Sequence, residues 1–232
     1  MDRPARPRIN RTSTLPQHTE YSLALENELR HVAFSEERAP ELKGRWREAL
    51  EWSKSTPVDL EIGTGNGLFF AHYAAENPGR ALVGLELKYK PLVQSIRRAQ
   101  RAGCRNAAIV RYHAFNLDQL FESQEINNVF IHFPDPWTSP KRPKNRLTNA
   151  WFLNLLYGLQ QPGSYLNFKT DSREMFDWSL EEIAKTPYKV EFQSFDLHNS
   201  DWAGKNFVTG FEKIFLQQGI KINFVRLFKA HQ

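Results

Sequence analysis

The sequence predicts an α/β protein with a largely parallel sheet covered by helices on both faces. Three observations predict it. Strand-like runs at 58–62, 81–85, 107–112, 128–133 and 164–168 are spaced so that helical stretches fit between them, at 68–76, 91–102 and 147–160. The first run ends in a glycine-rich turn that leads directly into a helix. The chain is 232 residues long and 41% hydrophobic, enough to bury a large core without covalent staples.

The elements follow in order. Residues 1–20 are rich in Pro and Arg and lack hydrophobic periodicity, so they read as a flexible basic arm, with 21–232 as a single domain. Residues 41–53 carry Leu42, Trp46, Ala49, Leu50 and Ser53 at helical spacing, a helix that tolerates Gly44. The five strands above follow, with Pro91 in the first turn of its helix. Strands at 188–195 and 220–228, with a helix at 205–217 between them, complete a seven-stranded, mostly parallel sheet. No internal repeat is present.

Charge is uneven. The formal net charge is +5. Arg3, Arg6, Arg8 and Arg11 against Asp2 contribute +3, the 86–105 stretch +5, and Lys141, Arg142, Lys144 and Arg146 +4. The remainder of the chain is therefore acidic. Such patches suit a polyanionic partner, and equally three separate solvated surfaces. A single cysteine, Cys104, rules out an intrachain disulfide, fits a reducing compartment and reads as a small buried hydrophobe. No apolar run reaches membrane-span length and no signal-peptide core is present, so a soluble cytoplasmic protein is expected. No His/Cys cluster has zinc-ligand spacing, and no metal is expected.

Ligands of such sheets bind beyond the carboxyl ends of the strands. The first strand ends in Glu61-Ile62-Gly63-Thr64-Gly65-Asn66-Gly67, where glycines permit a tight turn and close approach of a ligand. The second ends at Glu86, placed to accept ribose hydroxyls. A nucleoside cofactor follows. A dinucleotide fingerprint requires a third small residue where this chain has Leu68, which disfavours an NAD-dependent dehydrogenase. The Gly-x-Gly-x-Gly spacing resembles motif I of the class I S-adenosylmethionine methyltransferases. The fourth strand ends in Phe133-Pro134-Asp135-Pro136-Trp137: two prolines fix the backbone around an acid, and Trp137 offers a face for a base. A basic loop follows at once. The fifth ends in Lys169-Thr170-Asp171. Near the C-terminus Thr209 and Glu212 have capping-box spacing.

The ordered series LEIGTGNG, GLEL, FPDPW, KTD and TGFE, closing on IKINFVRLF, resembles the bacterial tRNA (guanine-N7)-methyltransferase family from about residue 57 onward. The resemblance implies the Rossmann-like class I methyltransferase fold, S-adenosylmethionine as cofactor and tRNA as substrate, with guanosine in the variable loop methylated at N7. It implies that Glu61, Gly63, Gly65, Glu86 and Asp135 surround the cofactor, that Asp135 is catalytic, and that Asp171, Thr209 and Glu212 meet the RNA, where Trp137 is expected to stack on the base and Lys141 to supply a cation. Two departures stand out. The acid usual after the third strand is His113, so the adenine contact falls either to backbone groups at Ala114 or to the imidazole. The lysine usual two residues after the motif's Trp is Ser139, which leaves the role to Lys141 or a neighbouring cation. A retired fold kept as an RNA-binding module is the non-enzymatic alternative, and a monomer and a homodimer fit equally.

Overall fold

The computed structural model describes residues 6–15, 18–137 and 143–231. They fall into two compact units, over residues 6–127 and 128–231.

The first unit contains α1 (Glu20–Glu26), β1 (Ala33–Phe34), α2 (Trp46–Ala49), β2 (Val58–Ile62), α3 (Leu68–Glu76), β3 (Ala81–Leu85), α4 (Tyr89–Arg101) and β4 (Ala107–Val110). Its strands lie in the order β1-β4-β3-β2, all parallel. Every residue of β2, β3 and β4 is buried, the signature of parallel strands covered on both faces. Phe70 of α3, Leu92 and Ile96 of α4 and Leu25 of α1 pack with Leu82 and Ile109 in one core cluster, with Cys104 half-buried at its margin. β2 carries two buried polar residues, Glu61 and Asp59, and the second is held by charge. Asp59 is fully buried, and the Arg80 guanidinium grips both its oxygens at 2.6 Å while the Tyr73 hydroxyl donates at 2.7 Å.

The second unit contains β5 (Val129–His132), α5 (Ala150–Leu159), β6 (Tyr165–Thr170), α6 (Arg173–Ile183), β7 (Lys189–Ser194), α7 (Gly210–Gln217) and β8 (Asn223–Phe228). β5 pairs with β6 in parallel, whereas β8 runs antiparallel to both β6 and β7. Largely exposed side chains on β7 fit its place at the end of the order β5-β6-β8-β7.

Mostly parallel α/β structure is as expected, but the described residues form eight strands rather than seven. The addition is the two-residue β1, too short to carry a period-2 pattern. The expected helix over 41–53 is broken. Residues 39–42 form a 3₁₀ turn, Gly44 takes φ +73°, and α2 is confined to Trp46–Ala49. Gly44 donates its N–H to Glu125 at 3.0 Å, and a Cβ there would lie 2.8 Å from Glu122 Cδ, so this is a built turn and not a tolerated glycine. Trp46 still packs inward: it is fully buried, stacks on Phe121 and donates its indole N–H to the Leu120 carbonyl at 2.8 Å. The helix expected over 205–217 begins only at Gly210, because Thr209 caps it. α1 and α6 went unread in the sequence.

Arg80→Met strands the Asp59 carboxylate without its cation and costs about 3 kcal/mol in urea unfolding. Tyr73→Phe removes one hydrogen bond and costs about 1 kcal/mol.

Candidate active site

In the first unit the expected cofactor residues gather at the carboxyl ends of β2, β3 and β4. Glu61 is the penultimate residue of β2 and is buried. The turn after it folds back over β3, with the N–H groups of Gly63 and Thr64 donating to the Leu85 carbonyl at 2.8 and 3.2 Å. Gly63, Gly65 and Gly67 all have positive φ. Gly67 is the one held by contact: a Cβ there would fall 2.3 Å from Ser95 Cα, so no larger residue lets α3 start this close to α4. Ser95 Oγ completes the join, within 3.1 Å of Thr64 Oγ1 and 3.0 Å of the Gly65 carbonyl. A Cβ on Gly63 or Gly65 would meet no protein atom within 4 Å, so that side of the turn is open.

Glu86 is half-buried just past β3. Its Oε1 accepts the N–H groups of Leu87 and Lys88, and its Oε2 accepts that of Gly65 at 3.2 Å. The carboxylate is thereby locked to the glycine turn and to the start of α4. Oε2, with one N–H, retains capacity for a further donor. Past β4, His113 Nδ1 accepts the Phe115 N–H at 3.2 Å, capping the 3₁₀ turn Ala114–Gln119, and Ala114 is buried. Burial pushes the His113 pKa down.

The arm reaches this region too. Thr12 is buried, donating to Glu36 at 3.0 Å and lying 2.7 Å from the Tyr89 hydroxyl. Arg111 binds Glu36 at 2.6 Å and the Asn10 carbonyl at 2.9 Å. Asn116 donates to the Pro7 carbonyl, and Arg6 pairs with Asp118. Arg111 and Glu36 carry no motif, and neither was legible in the sequence.

In the second unit the remaining expected site residues lie in the segments that follow β5 and β6 and at the N-terminal end of α7. Asp135 and Pro136 are exposed, and Trp137 is half-buried. Phe133 and Trp137 both sit at positive φ, 50° and 44°, which costs non-glycine residues on the order of 1–3 kcal/mol each. The motif is therefore fixed by more than its prolines. The Phe133 N–H donates to the Lys169 carbonyl at 2.8 Å and its ring meets Phe215 of α7. Arg146 donates to the Pro136 carbonyl at 2.8 Å while stacking on Trp178 and pairing with Glu174. Arg146 is itself buried, so this cation of the basic run is structural. Lys144 is exposed; Lys141 and Ser139 lie outside the described residues. Asp171 is half-buried at the turn between β6 and α6.

Thr209 and Glu212 form a complete capping box: the Glu212 N–H donates to Thr209 Oγ1 and the Thr209 N–H to Glu212 Oε2. Glu212 is fully buried and both oxygens are occupied. Oε2 also accepts from Lys169 Nζ at 2.6 Å; Oε1 is bound by Asn206 Nδ2 at 2.6 Å and lies 2.8 Å from His198 Nε2. Burial alone would raise the Glu212 pKa. The adjacent Lys169 ammonium and the N–H donors overcome that and hold it below the usual range. His132 nearby is kept neutral, its pKa driven far down by burial and by the Lys169 charge. His198 and Asn206 were missed in the sequence, and Lys169 was quoted only as part of a motif. A lysine flanked by Phe168 and Thr170 inside a buried strand is the signal that could have found it.

Among the described residues no group of three or more His, Cys, Asp or Glu could hold a metal, and no helix is long and apolar enough to cross a membrane.

Comparison with known proteins adds to this geometry. Residues 55–225 match a family described as "Putative methyltransferase". The chain is 61% identical to a tRNA (guanine-N(7)-)-methyltransferase of Bdellovibrio bacteriovorus, over 89% of this chain and all of that one. It is 36% identical to a protein of the same name from Listeria monocytogenes, over 78% and 84% of the two chains. Its fold resembles the 16S rRNA methyltransferase KamB, with TM-score 0.58 at 16% identity over 79% and 92% of the chains. It also resembles a 16S rRNA (adenine(1408)-N(1))-methyltransferase of Catenulisporales acidiphilia solved with its cosubstrate SAM, with TM-score 0.55 at 14% identity over 83% and 91%. The family match over most of the chain makes this protein a methyltransferase. Within that class the chain belongs to the tRNA (guanine-N(7)-)-methyltransferase family.

Because the Glu212 pKa is depressed on folding, its contribution to stability is present above the unfolded carboxylate value of about 4.3 and is lost as pH falls through the folded value. Urea unfolding of Glu212→Gln will show a weaker loss of stability between pH 6 and pH 3 than wild type. At neutral pH Lys169→Met costs about 3–5 kcal/mol by leaving a buried carboxylate without its cation.

Proposed function

We propose that this protein transfers a methyl group from S-adenosylmethionine to N7 of a guanosine in the variable loop of tRNA, giving 7-methylguanosine. The observation that carries the reading is the 61% identity to the Bdellovibrio enzyme across that enzyme's full length. Retention of Glu61, Glu86 and Asp135 favours an active enzyme over a retired fold.

The first unit fits the cofactor. Glu86 Oε2 has capacity for a ribose hydroxyl, and the open side of Gly63 and Gly65 lets a ligand approach the backbone. Glu61, His113, Ala114 and Asp135 complete the proposed cofactor set. When bound, S-adenosylmethionine supplies an electrophilic methyl group on a sulfonium sulfur.

Guanine N7 carries a lone pair and no proton, so the protein need not provide a base. Its task is alignment and stabilisation of positive charge that develops on the purine. Asp135 serves it by accepting hydrogen bonds from guanine N1–H and the 2-amino group. These protons grow more acidic as the ring becomes cationic, so the bonds strengthen toward the transition state. Trp137 stacks on the base once it leaves its helical stack. Lys141 and Asp171 contact the RNA. Thr209 and Glu212 act on it through the groups they fix, because Glu212 has no oxygen to spare: His198 and Asn206 are what it holds in place. Arg8, Arg11, Lys88, Lys90, Arg101, Arg105 and Lys144 are exposed and supply phosphate contacts. Arg6 and Arg97 are paired with Asp118 and Glu28, and Arg146 is buried. We read residues 21–232 as one methyltransferase domain behind a basic arm, acting in the cytoplasm. A monomer and a homodimer are both compatible with this reading.

The test is methyl transfer from labelled S-adenosylmethionine to unmodified tRNA, with the product nucleoside identified by mass spectrometry. Wild type yields 7-methylguanosine, and Asp135→Ala lowers the rate about 10²–10³-fold. A different methylated nucleoside overturns the assignment. Trp137→Ala weakens tRNA turnover while calorimetric binding of S-adenosylhomocysteine stays unchanged.

A further inference from the structure

The segment after β4 carries His113, and its geometry restricts what that imidazole can do. Val110 is paired with Leu85, and the Glu86 N–H donates to the Val110 carbonyl at 3.0 Å, so the residues after β4 lie directly beside the proposed ribose acid. The glycine turn lies on the other side, at β2. With the methionine end at β2 and the ribose at Glu86, the nucleobase continues toward β4.

His113 presents one defined face there. Its Nδ1 accepts the Phe115 N–H, and a ring nitrogen that accepts carries no proton. In the neutral imidazole the proton therefore sits on Nε2. The ring lies edge-on to Phe115 with centroids 5.4 Å apart, which restrains its rotation. Burial favours the neutral form. Among the described residues no side chain or backbone group is hydrogen-bonded to Nε2.

We infer that His113 reads the cofactor's adenine through a hydrogen-bond donor, Nε2–H, offered to an unprotonated ring nitrogen, where a carboxylate would offer acceptors to the 6-amino group. At this position the protein donates to the base, and the 6-amino group must find its acceptor elsewhere. The inference rests on the S-adenosylmethionine reading and adds to it the direction of one hydrogen bond.

Two measurements test it on the full chain. Long-range ¹H–¹⁵N spectra of the free protein report the His113 tautomer; Nε2–H is expected, and Nδ1–H overturns the inference. Calorimetry then compares S-adenosylhomocysteine with its 1-deaza, 3-deaza and 7-deaza analogues on wild type and on His113→Asn. Asn retains an oxygen to cap the Phe115 N–H but lacks the distal donor. One analogue should bind wild type about three- to tenfold more weakly than the parent. His113→Asn should lose a similar factor for the parent and nothing further for that analogue. Equal binding of all four ligands to wild type, or a deaza penalty that persists in His113→Asn, overturns the inference while leaving the cofactor reading intact. Failure of wild type to bind S-adenosylhomocysteine at all overturns both.

Discussion

The second unit depends on one buried ion pair. Lys169 and Glu212 are both essentially inaccessible, and each would be costly to bury alone. Together they are fully hydrogen-bonded. Lys169 also binds Asn206 Oδ1 and the Phe207 carbonyl, and Glu212 takes Thr209, Asn206 and His198. The pair ties the end of β6 to the first turn of α7 and to the loop before it. It also reaches the Pro-rich motif, because Phe133 bonds to the Lys169 backbone and lies under its ammonium, 5.8 Å from ring centroid to Nζ. An apolar pair would fill the same space but would remove the bonds to Asn206 Oδ1, the Phe207 carbonyl and the Thr209 N–H.

The first unit uses a different constraint, close backbone approach. Gly67 lets α3 start against Ser95 of α4, and Ser95 in turn fastens the turn at Thr64 and Gly65. Glu86 closes the arrangement by bonding to Gly65 and to the start of α4. A single carboxylate thus fixes the turn's shape and keeps one oxygen with capacity for a ligand. Preorganisation of this kind spares the ordering cost on binding.

Backbone strain gathers at the Pro-rich motif. Two non-glycine residues of the Phe133–Trp137 segment hold left-handed backbone conformations, and Arg146, Lys169 and Phe215 are the groups that sustain them. Basic residues therefore divide by role. Arg146 is spent inside the protein, whereas Arg6 and Arg97 are paired at the surface with Asp118 and Glu28.

Motif order and crossover spacing alone determined the α/β class, the main strands, the glycine turn and the positions of Glu61, Glu86 and Asp135, because these depend on local backbone demands and on strand ends. Tertiary structure decided what local patterns do not encode. It broke the 41–53 helix at Gly44 through Glu122 and Glu125, which lie far along the chain. It added β1, whose two residues are specified by β4 and not by a period of their own. It turned a Thr-x-x-Glu pattern into a buried bracket on Lys169, and assigned Arg111 and Glu36 to hold the arm. Capping and turn signals lie within a few residues of one another and can be read; partners such as Lys169 and Glu212, 43 residues apart, meet only after folding has closed the loop between them.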